Sequence, residues 1–238
     1  LISGGSALSE RVQKDLHGLG FTILEGYGLT ESSPVLTFTR PQNKLNKGSV
    51  GKNLPGVEVK IEEPDENGVG EILARGQNVM VGYFNNDEAT KSVLHDRWLR
   101  TGDLGKIDDD GNLTIVGRSK DIIIDSNGKN IYPDEVEELY SKSKFIKELS
   151  VVGLVDENGG EKIACLVVAD YEFDITLARA EVNRKIEQHF REVSQGLAFF
   201  KRIKVLHLTP FELPRTATRK VKRREVIEEL QRLEAKTK

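Results

Sequence analysis

The run from Arg100 to Asp121, RTGDLGKIDDDGNLTIVGRSKD, constrains this chain more than any other stretch. Asp103 follows a strand-like Trp98-Leu99. A tight turn is expected at Asp110-Gly111, and a second strand, Leu113 to Val116, leads to Gly117-Arg118. Such a hairpin delivers a carboxylate and a guanidinium on its two strands. The carboxylate accepts from ribose hydroxyls and the guanidinium donates to hydroxyl or phosphate oxygens, so the pair can hold the two ends of a nucleotide. Read without context, Asp103 is also a plain turn cap and Arg118 a surface arginine. The sequence before the hairpin reads as one body and the sequence after it as another.

The first body opens as strand, helix, strand. Leu1-Ile2-Ser3 runs into Gly4-Gly5. Val12, Leu16 and Leu19 then mark one apolar helical face, with Ser9 as its N-cap and Leu8 as a staple. Gly18 and Gly20 close the helix, and Phe21 to Leu24 reads as the next strand. This order predicts a parallel βαβ unit, whose ligands sit beyond the strand C-termini. Those ends carry Gly4-Gly5-Ser6 and Gly26-Tyr27-Gly28-Leu29-Thr30-Glu31. Gly26 and Gly28 let backbone approach a flat ligand, and Tyr27 offers a ring to stack on. Thr30 offers a hydroxyl for phosphate, and Glu31 a hard oxygen for Mg²⁺. By itself the loop is equally a turn followed by a helix-start carboxylate. From Gly48 to Gly76, short strands at close spacing predict a small β-barrel or a distorted sheet. Tyr83 and Phe84 are expected in its core, and Asn85 to Thr90 as a short capped helix.

The second body begins with β-branched Ile122-Ile123-Ile124 and a turn at Asp125-Ser126-Asn127-Gly128. Pro133 suits a helix start, and Asp134 and Glu135 suit its dipole. Ile146 to Val155 and Ile163 to Ala169 read as paired strands around Asn158-Gly159-Gly160. Leu177 to Phe190 reads as a helix and Ile203 to Leu208 as a third strand. Cys165 belongs to the core. The basic cluster Arg215, Arg219, Lys220, Lys222, Arg223 and Arg224 suggests nucleic acid or anionic lipid. Yet it leads into Val226, Ile227, Leu230 and Leu233 at helical spacing among glutamates, with no stacking aromatics. It reads as the start of an ordinary amphipathic helix, and no nucleic-acid partner is expected.

Charge agrees: 35 basic and 38 acidic side chains leave a net charge of -3, with no general pull toward nucleic acid or anionic membrane. The single cysteine excludes an internal disulfide and suits a reducing cytoplasm. No apolar run approaches the roughly 20 residues of a membrane span. The four histidines, His17, His95, His189 and His207, lack metal-ligand spacing, and Asp108-Asp109-Asp110 reads as a solvated hairpin tip.

Taken together, Tyr27-Gly28-Leu29-Thr30-Glu31, Arg100-Thr101-Gly102-Asp103, Gly117-Arg118-Ser119-Lys120-Asp121, Asn127 to Glu137 and Leu213 to Arg223 resemble the adenylate-forming superfamily. The nearest resemblance is to bacterial long-chain fatty acid–CoA ligases, on Arg219-Lys220-Val221-Lys222-Arg223, where many relatives carry Gly before the lysine. The resemblance implies mixed α/β and α+β architecture. Residues 1–118 would be the end of the large adenylation domain, a βαβ unit plus a small β-barrel. Residues 119–238 would be a mobile C-terminal domain with a three-stranded sheet. It implies ATP, Mg²⁺ and coenzyme A as co-substrates and cofactor, and a fatty acid as the acid, with room for peripheral membrane contact. It gives Gly4, Gly5, Ser6, Gly26, Tyr27, Gly28, Asp103 and Arg118 to the nucleotide. It gives catalysis to Lys220, Glu31 and Thr30, with Glu31 on Mg²⁺. Lys120 would be the hinge, and Gly128 and Lys129 the loop that faces coenzyme A.

The family's Ser/Thr/Gly-rich phosphate loop is expected upstream of Leu1, and no such run occurs here. The chain is therefore expected to be the C-terminal part of a longer protein, unable to form an adenylate alone. Two other classes stay open: a nonribosomal-type adenylation domain that loads a carrier protein, and a non-catalytic fragment that binds nucleotide or coenzyme A.

Overall fold

In the computed structural model, which describes residues 1–6, 8, 10–40, 48–156, 159–217 and 219–237, the first strand β1 (Ile2–Gly4) is followed by α1 (Glu10–Gly18) and β2 (Leu24–Tyr27). β1 and β2 pair in parallel, with Gly4 opposite Gly26. The expected βαβ unit is therefore present, and it sets the two glycine stretches side by side. Its helix closes as the glycines suggest: Gly20 adopts φ 84°, and Phe21 N–H donates to Leu16 O at 3.1 Å. Three details differ from expectation. Phe21 to Ile23 precede the strand instead of starting it. Gly26 and Tyr27 lie inside the strand, because β3 (Thr37–Phe38) returns antiparallel and pairs with them. Val12, inside the helix, is 42% exposed, and Leu19, which lies past its end at Gly18, is 73% exposed. Ser9, the expected cap, and Asn158 lie outside the described residues.

The chain continues through β4 (Ser49–Asn53), β5 (Val57–Glu62), β6 (Gly70–Gly76), α2 (Asp87–Val93), β7 (Leu94–His95), β8 (Trp98–Ile107) and β9 (Leu113–Arg118). The hydrogen-bonded order is β1-β2-β3-β4-β9-β8-β6-β5, with β7 added to β8. Among the described residues β5 ends this path, and β4 to β9 supply the closely spaced strands that the sequence predicts. Ile72, Leu73, Ala74 and Leu99 are buried. Asn86 caps α2, its side chain accepting from Ala89 N–H at 3.0 Å. Phe84, expected in the core, is 94% exposed.

The chain divides into two compact units at Ser119 and Lys120. The second contains β10 (Ile123–Ile124), β11 (Asn130–Ile131), α3 (Pro133–Tyr140), β12 (Ile146–Val155), β13 (Glu161–Ala169), α4 (Arg179–Gln195), β14 (Val205–Thr209) and α5 (Arg223–Thr237). β12, β13 and β14 form a three-stranded sheet, antiparallel then parallel. β13 is central and apolar on both faces because both are covered. Ile163, Cys165 and Val167 pack with Val136, Tyr140, Val182, Ile186 and Phe190 from α3 and α4. Ala164, Leu166 and Val168 pack with Val226 and Leu230 from α5. Fully burying each such leucine or isoleucine contributes about 1.5–3 kcal/mol. Cys165 is a core residue, as expected, and burial pushes its thiol well above the ordinary value. α4 starts two residues later and ends five later than its apolar face predicts. Polar positions past Phe190 still propagate helix until Gly196, and sequence periodicity marks burial, not helix ends. Ile203 and Lys204 precede β14.

Candidate active site

The Thr101-Gly102-Asp103 stretch lies inside a ten-residue strand, not after one. Leu73 pairs with Arg100, whereas Glu71 pairs with Leu104. Two residues of β6 thus span four of β8, and the excess bulges outward, a device that re-aims side chains. Thr101 anchors the bulge: its hydroxyl donates to Ile72 O at 2.8 Å and accepts from Asp103 N–H at 3.1 Å. Gly102 takes φ 70°, which glycine adopts without strain. Glu71 supports it from the neighbouring strand, accepting from Gly102 N–H at 3.2 Å and pairing with Arg100. Sequence reading missed Glu71, because only strand register identifies it.

Asp103 and Arg118 are direct cross-strand partners. Arg118 Nε donates to Asp103 Oδ1 at 3.0 Å. The Tyr27 hydroxyl donates to the other oxygen, Oδ2, at 2.8 Å. Three residues assigned to nucleotide from three separate motifs thus meet in one cluster. The Asp103 side chain is 14% exposed and that of Arg118 is 43%. Tyr27 is linked to Asp103 through its hydroxyl. Burial, then the Asp103 charge, pushes its phenol far above the ordinary value, so Tyr27 stays a neutral donor.

The loop after β2 is shaped by close backbone approach. A Cβ on Gly28 would fall 1.7 Å from Pro34 O. Gly28→Ala is therefore expected to displace the loop and lower stability by about 1–3 kcal/mol. A thermal melt of this chain checks it, and an unchanged midpoint would show that the turn has room. Leu29, Thr30, Glu31 and Ser32 form a single tight turn. The buried Ser32 hydroxyl donates within it and accepts from Leu29 N–H at 3.0 Å. Thr30 is exposed and Glu31 half-buried. Tyr83, expected in the core, instead donates its hydroxyl to Glu31 Oε1 at 3.0 Å. Among the described residues no group of three or more His, Cys, Asp or Glu could hold a metal. Glu31 fits the mode in which Mg²⁺ takes one carboxylate, with phosphate oxygens and water completing its octahedron. Gly4, Gly5 and Ser6 are exposed.

In the second unit, Lys220 sits on an exposed loop with a paired stem. Thr216 N–H donates to Lys220 O at 2.8 Å and Lys222 N–H to Pro214 O at 2.8 Å. Arg215 donates to Arg219 O at 2.6 Å and pairs with Glu148. Arg219 holds φ 64°, the backbone region that favours glycine. Among the described residues no carboxylate lies within ion-pair distance of Lys220. The basic cluster is thus not a uniform cationic face, since Arg215 and Arg223 are spent on internal carboxylates. Gly128 takes φ 75° in a turn where Asp125 accepts from Asn127 and Lys129 N–H groups at 2.9 and 2.8 Å. These bonds hold the Asp125 carboxyl below the ordinary range. The Lys129 ammonium lies 4.4 Å from the Phe200 ring centre. Lys120 is exposed in a single helical turn, Ser119–Asp121. Asp108, read as part of a solvated tip, instead accepts from Asn112 N–H at 2.8 Å. No described helix is long and apolar enough to cross a membrane.

Residues 1–84 match the family described as AMP-binding enzyme, and residues 135–220 match AMP-binding enzyme C-terminal domain. The long-chain-fatty-acid–CoA ligase of Bacillus subtilis is 37% identical over 241 residues, 96% of this chain and 40% of that protein. The indoleacetate–CoA ligase of Aromatoleum aromaticum is 36% identical over 233 residues, 95% of this chain and 43% of that protein. A solved structure of O-succinylbenzoate coenzyme A synthetase from Bacillus subtilis, in complex with ATP and magnesium ion, superposes with a TM-score of 0.78 at 31% identity. That match covers 94% of this chain and 45% of the synthetase. The chain thus spans about two fifths of the length of the curated relatives it matches.

Proposed function

This chain belongs to the AMP-binding enzymes of the adenylate-forming superfamily, and from that premise we propose that it is part of an AMP-forming acid–CoA ligase whose acid is a long-chain fatty acid. The observation that carries the nucleotide part of this reading is the Tyr27–Asp103–Arg118 cluster. Its carboxylate is fixed at both oxygens, and each oxygen keeps lone-pair capacity for ribose hydroxyls. Arg118, exposed on one side, can also donate to hydroxyl or phosphate oxygen. The Gly4-Gly5-Ser6 and Gly26-Tyr27-Gly28 stretches flank the nucleotide, as strand C-termini do in parallel βαβ units. Thr30 donates to phosphate, and Glu31 holds the divalent cation, which when bound screens the phosphate charge.

The reaction has two parts. The acid's carboxylate attacks the α-phosphorus of ATP, the bond to the β-phosphate bridging oxygen breaks, and pyrophosphate leaves. The coenzyme A thiol then attacks the acyl carbon, forming the thioester and releasing AMP. Lys220 supplies positive charge in the first part. Gly128 and Lys129 serve the second, and Lys120 is the hinge between the two states.

The fatty-acid assignment is supported by the Bacillus subtilis long-chain relative and by the Arg219 to Arg223 run. An aryl acid is the competing outcome, given the indoleacetate relative at similar identity. The test is a panel of acids offered to the intact protein with ATP, Mg²⁺ and coenzyme A, reading AMP and thioester. Preference for an aryl acid overturns the fatty-acid part. Adenylate without any coenzyme A thioester overturns the ligase part in favour of carrier loading. In the same protein, Asp103→Ala is expected to weaken AMP binding about 10–100-fold, the value of charge-assisted hydrogen bonds. Titration calorimetry reads this, and unchanged affinity would remove Asp103 from the nucleotide site.

A further inference from the structure

The segment that follows β6 does nothing in the mechanism above, yet it grips the Glu31 turn at four points. Asn78 Nδ2 donates to Ser32 O at 2.9 Å and to Val35 O at 3.1 Å. Met80 N–H donates to Glu31 O at 2.8 Å. The Tyr83 hydroxyl donates to Glu31 Oε1 at 3.0 Å. Tyr83 is itself fixed, since its backbone N–H donates to Oγ1 of Thr90 in α2 at 2.9 Å. The three contacts to backbone oxygens locate the turn. The fourth acts on the carboxylate alone. Among the described residues, Glu31 Oε2 has no hydrogen-bond partner.

We infer that Tyr83 is a positioning residue that holds Glu31 to one-oxygen binding of the divalent cation and so favours Mg²⁺ over Ca²⁺. This rests on the reading of Glu31 as the cation's carboxylate. A phenol hydrogen on Oε1 withdraws charge from that oxygen, and two-oxygen chelation would press the cation against the phenolic proton. Mg²⁺ loses little by this, because its small octahedron takes carboxylates through single oxygens. Ca²⁺ is larger and gains from chelation by both oxygens. Residues that orient a metal ligand typically change metal affinity 10–100-fold when altered.

The experiment uses the intact ligase with ATP present and no acid substrate, titrating Mg²⁺ and Ca²⁺ separately by calorimetry. Tyr83→Phe keeps the ring and removes only the hydroxyl. It is expected to weaken Mg²⁺ about 10-fold while Ca²⁺ is retained or tightened, so that the preference for Mg²⁺ falls. A thermal melt confirms that the variant is folded. An unchanged Mg²⁺-to-Ca²⁺ ratio in folded Tyr83→Phe overturns the inference, as does an equal loss of both ions. Glu31→Gln separates the two levels. If it weakens both ions while Tyr83→Phe leaves the ratio alone, only the role of Tyr83 fails. If Glu31→Gln leaves both affinities intact, the cation assignment of Glu31 fails and the inference with it.

Discussion

Lys220→Ala in the intact ligase is expected to slow adenylate formation by about 10²–10³-fold, the usual cost of losing one preorganised group that faces charge developing in a transition state. Thioester formation from a supplied acyl-adenylate should be nearly unchanged. The argument starts from an ammonium that no described carboxylate neutralises. It sits on a loop whose stem is closed by the Thr216–Lys220 and Pro214–Lys222 bonds and clamped by Arg215 on the Arg219 carbonyl. A free cation on a braced loop can be delivered to phosphate oxygens with little ordering cost, whereas one already paired would first have to break its pair. Charge builds on those oxygens only while the α-phosphorus is attacked, so the thioester step has no use for it. Pyrophosphate release and thioester formation, measured separately, check both halves. Equal loss in the two would mean that Lys220 supports the fold or general binding. Lys120→Pro is the mirror experiment. A fixed φ at the hinge should spare the first half and depress the second; normal thioester formation would count against a hinge there.

The sequence announced the cluster that carries the proposal because its chemistry and its spacing coincide. A turn at Asp110-Gly111 forces the two flanking strands to pair, and pairing them brings Asp103 opposite Arg118. Tyr27 was legible as a nucleotide residue but not as a partner of Asp103, since that contact joins elements 76 residues apart. Glu71 and Tyr83 were invisible for a related reason. Each has an ordinary local setting, and each acquires its role only from a neighbouring strand or turn. Tyr83 and Phe84 show the limit of composition. Two adjacent aromatics suggest a core, yet one is spent on a carboxylate and the other is exposed. In the second unit the apolar periodicities placed all three sheet strands to within a few residues, because both faces of β13 must be covered. The same patterns said nothing about where Arg223 would go.

Arg223 is expected to be the most costly single side chain to remove from the second unit. Its guanidinium donates to Glu137 Oε1 and to Val151 O, both at 2.6 Å, and also pairs with Asp134 and Asp121. It therefore fastens the start of α5 to α3 and to β12. Glu137 also accepts from Val151 N–H at 2.8 Å. The two side chains are 19% and 23% exposed. Arg223→Met in this chain should cost about 3 kcal/mol, the low end for breaking a buried pair because both groups keep some contact with water. Burial already raises the Glu137 carboxyl above its ordinary value, against the opposing pull of Arg223. Removing the arginine should raise it further. A carboxyl raised in the folded state adds stability below its unfolded value, about 4.3, and loses it as pH climbs through the folded value. The stability gap between Arg223→Met and the parent should therefore be widest near pH 8 and narrow toward pH 5, as Glu137 takes up a proton. Carboxyls held low elsewhere, such as Asp125 and Asp174, destabilise both proteins alike on acidification and cancel in the difference. Denaturant unfolding at the two pH values measures the gap. Adding Glu137→Gln to the variant should flatten the pH dependence of the gap, because the side chain at position 137 then carries no charge at any pH. A gap that stays constant from pH 8 to pH 5 would mean that Arg223 acts through packing and its bond to Val151, and that the Glu137 charge is solvated well enough to stand alone.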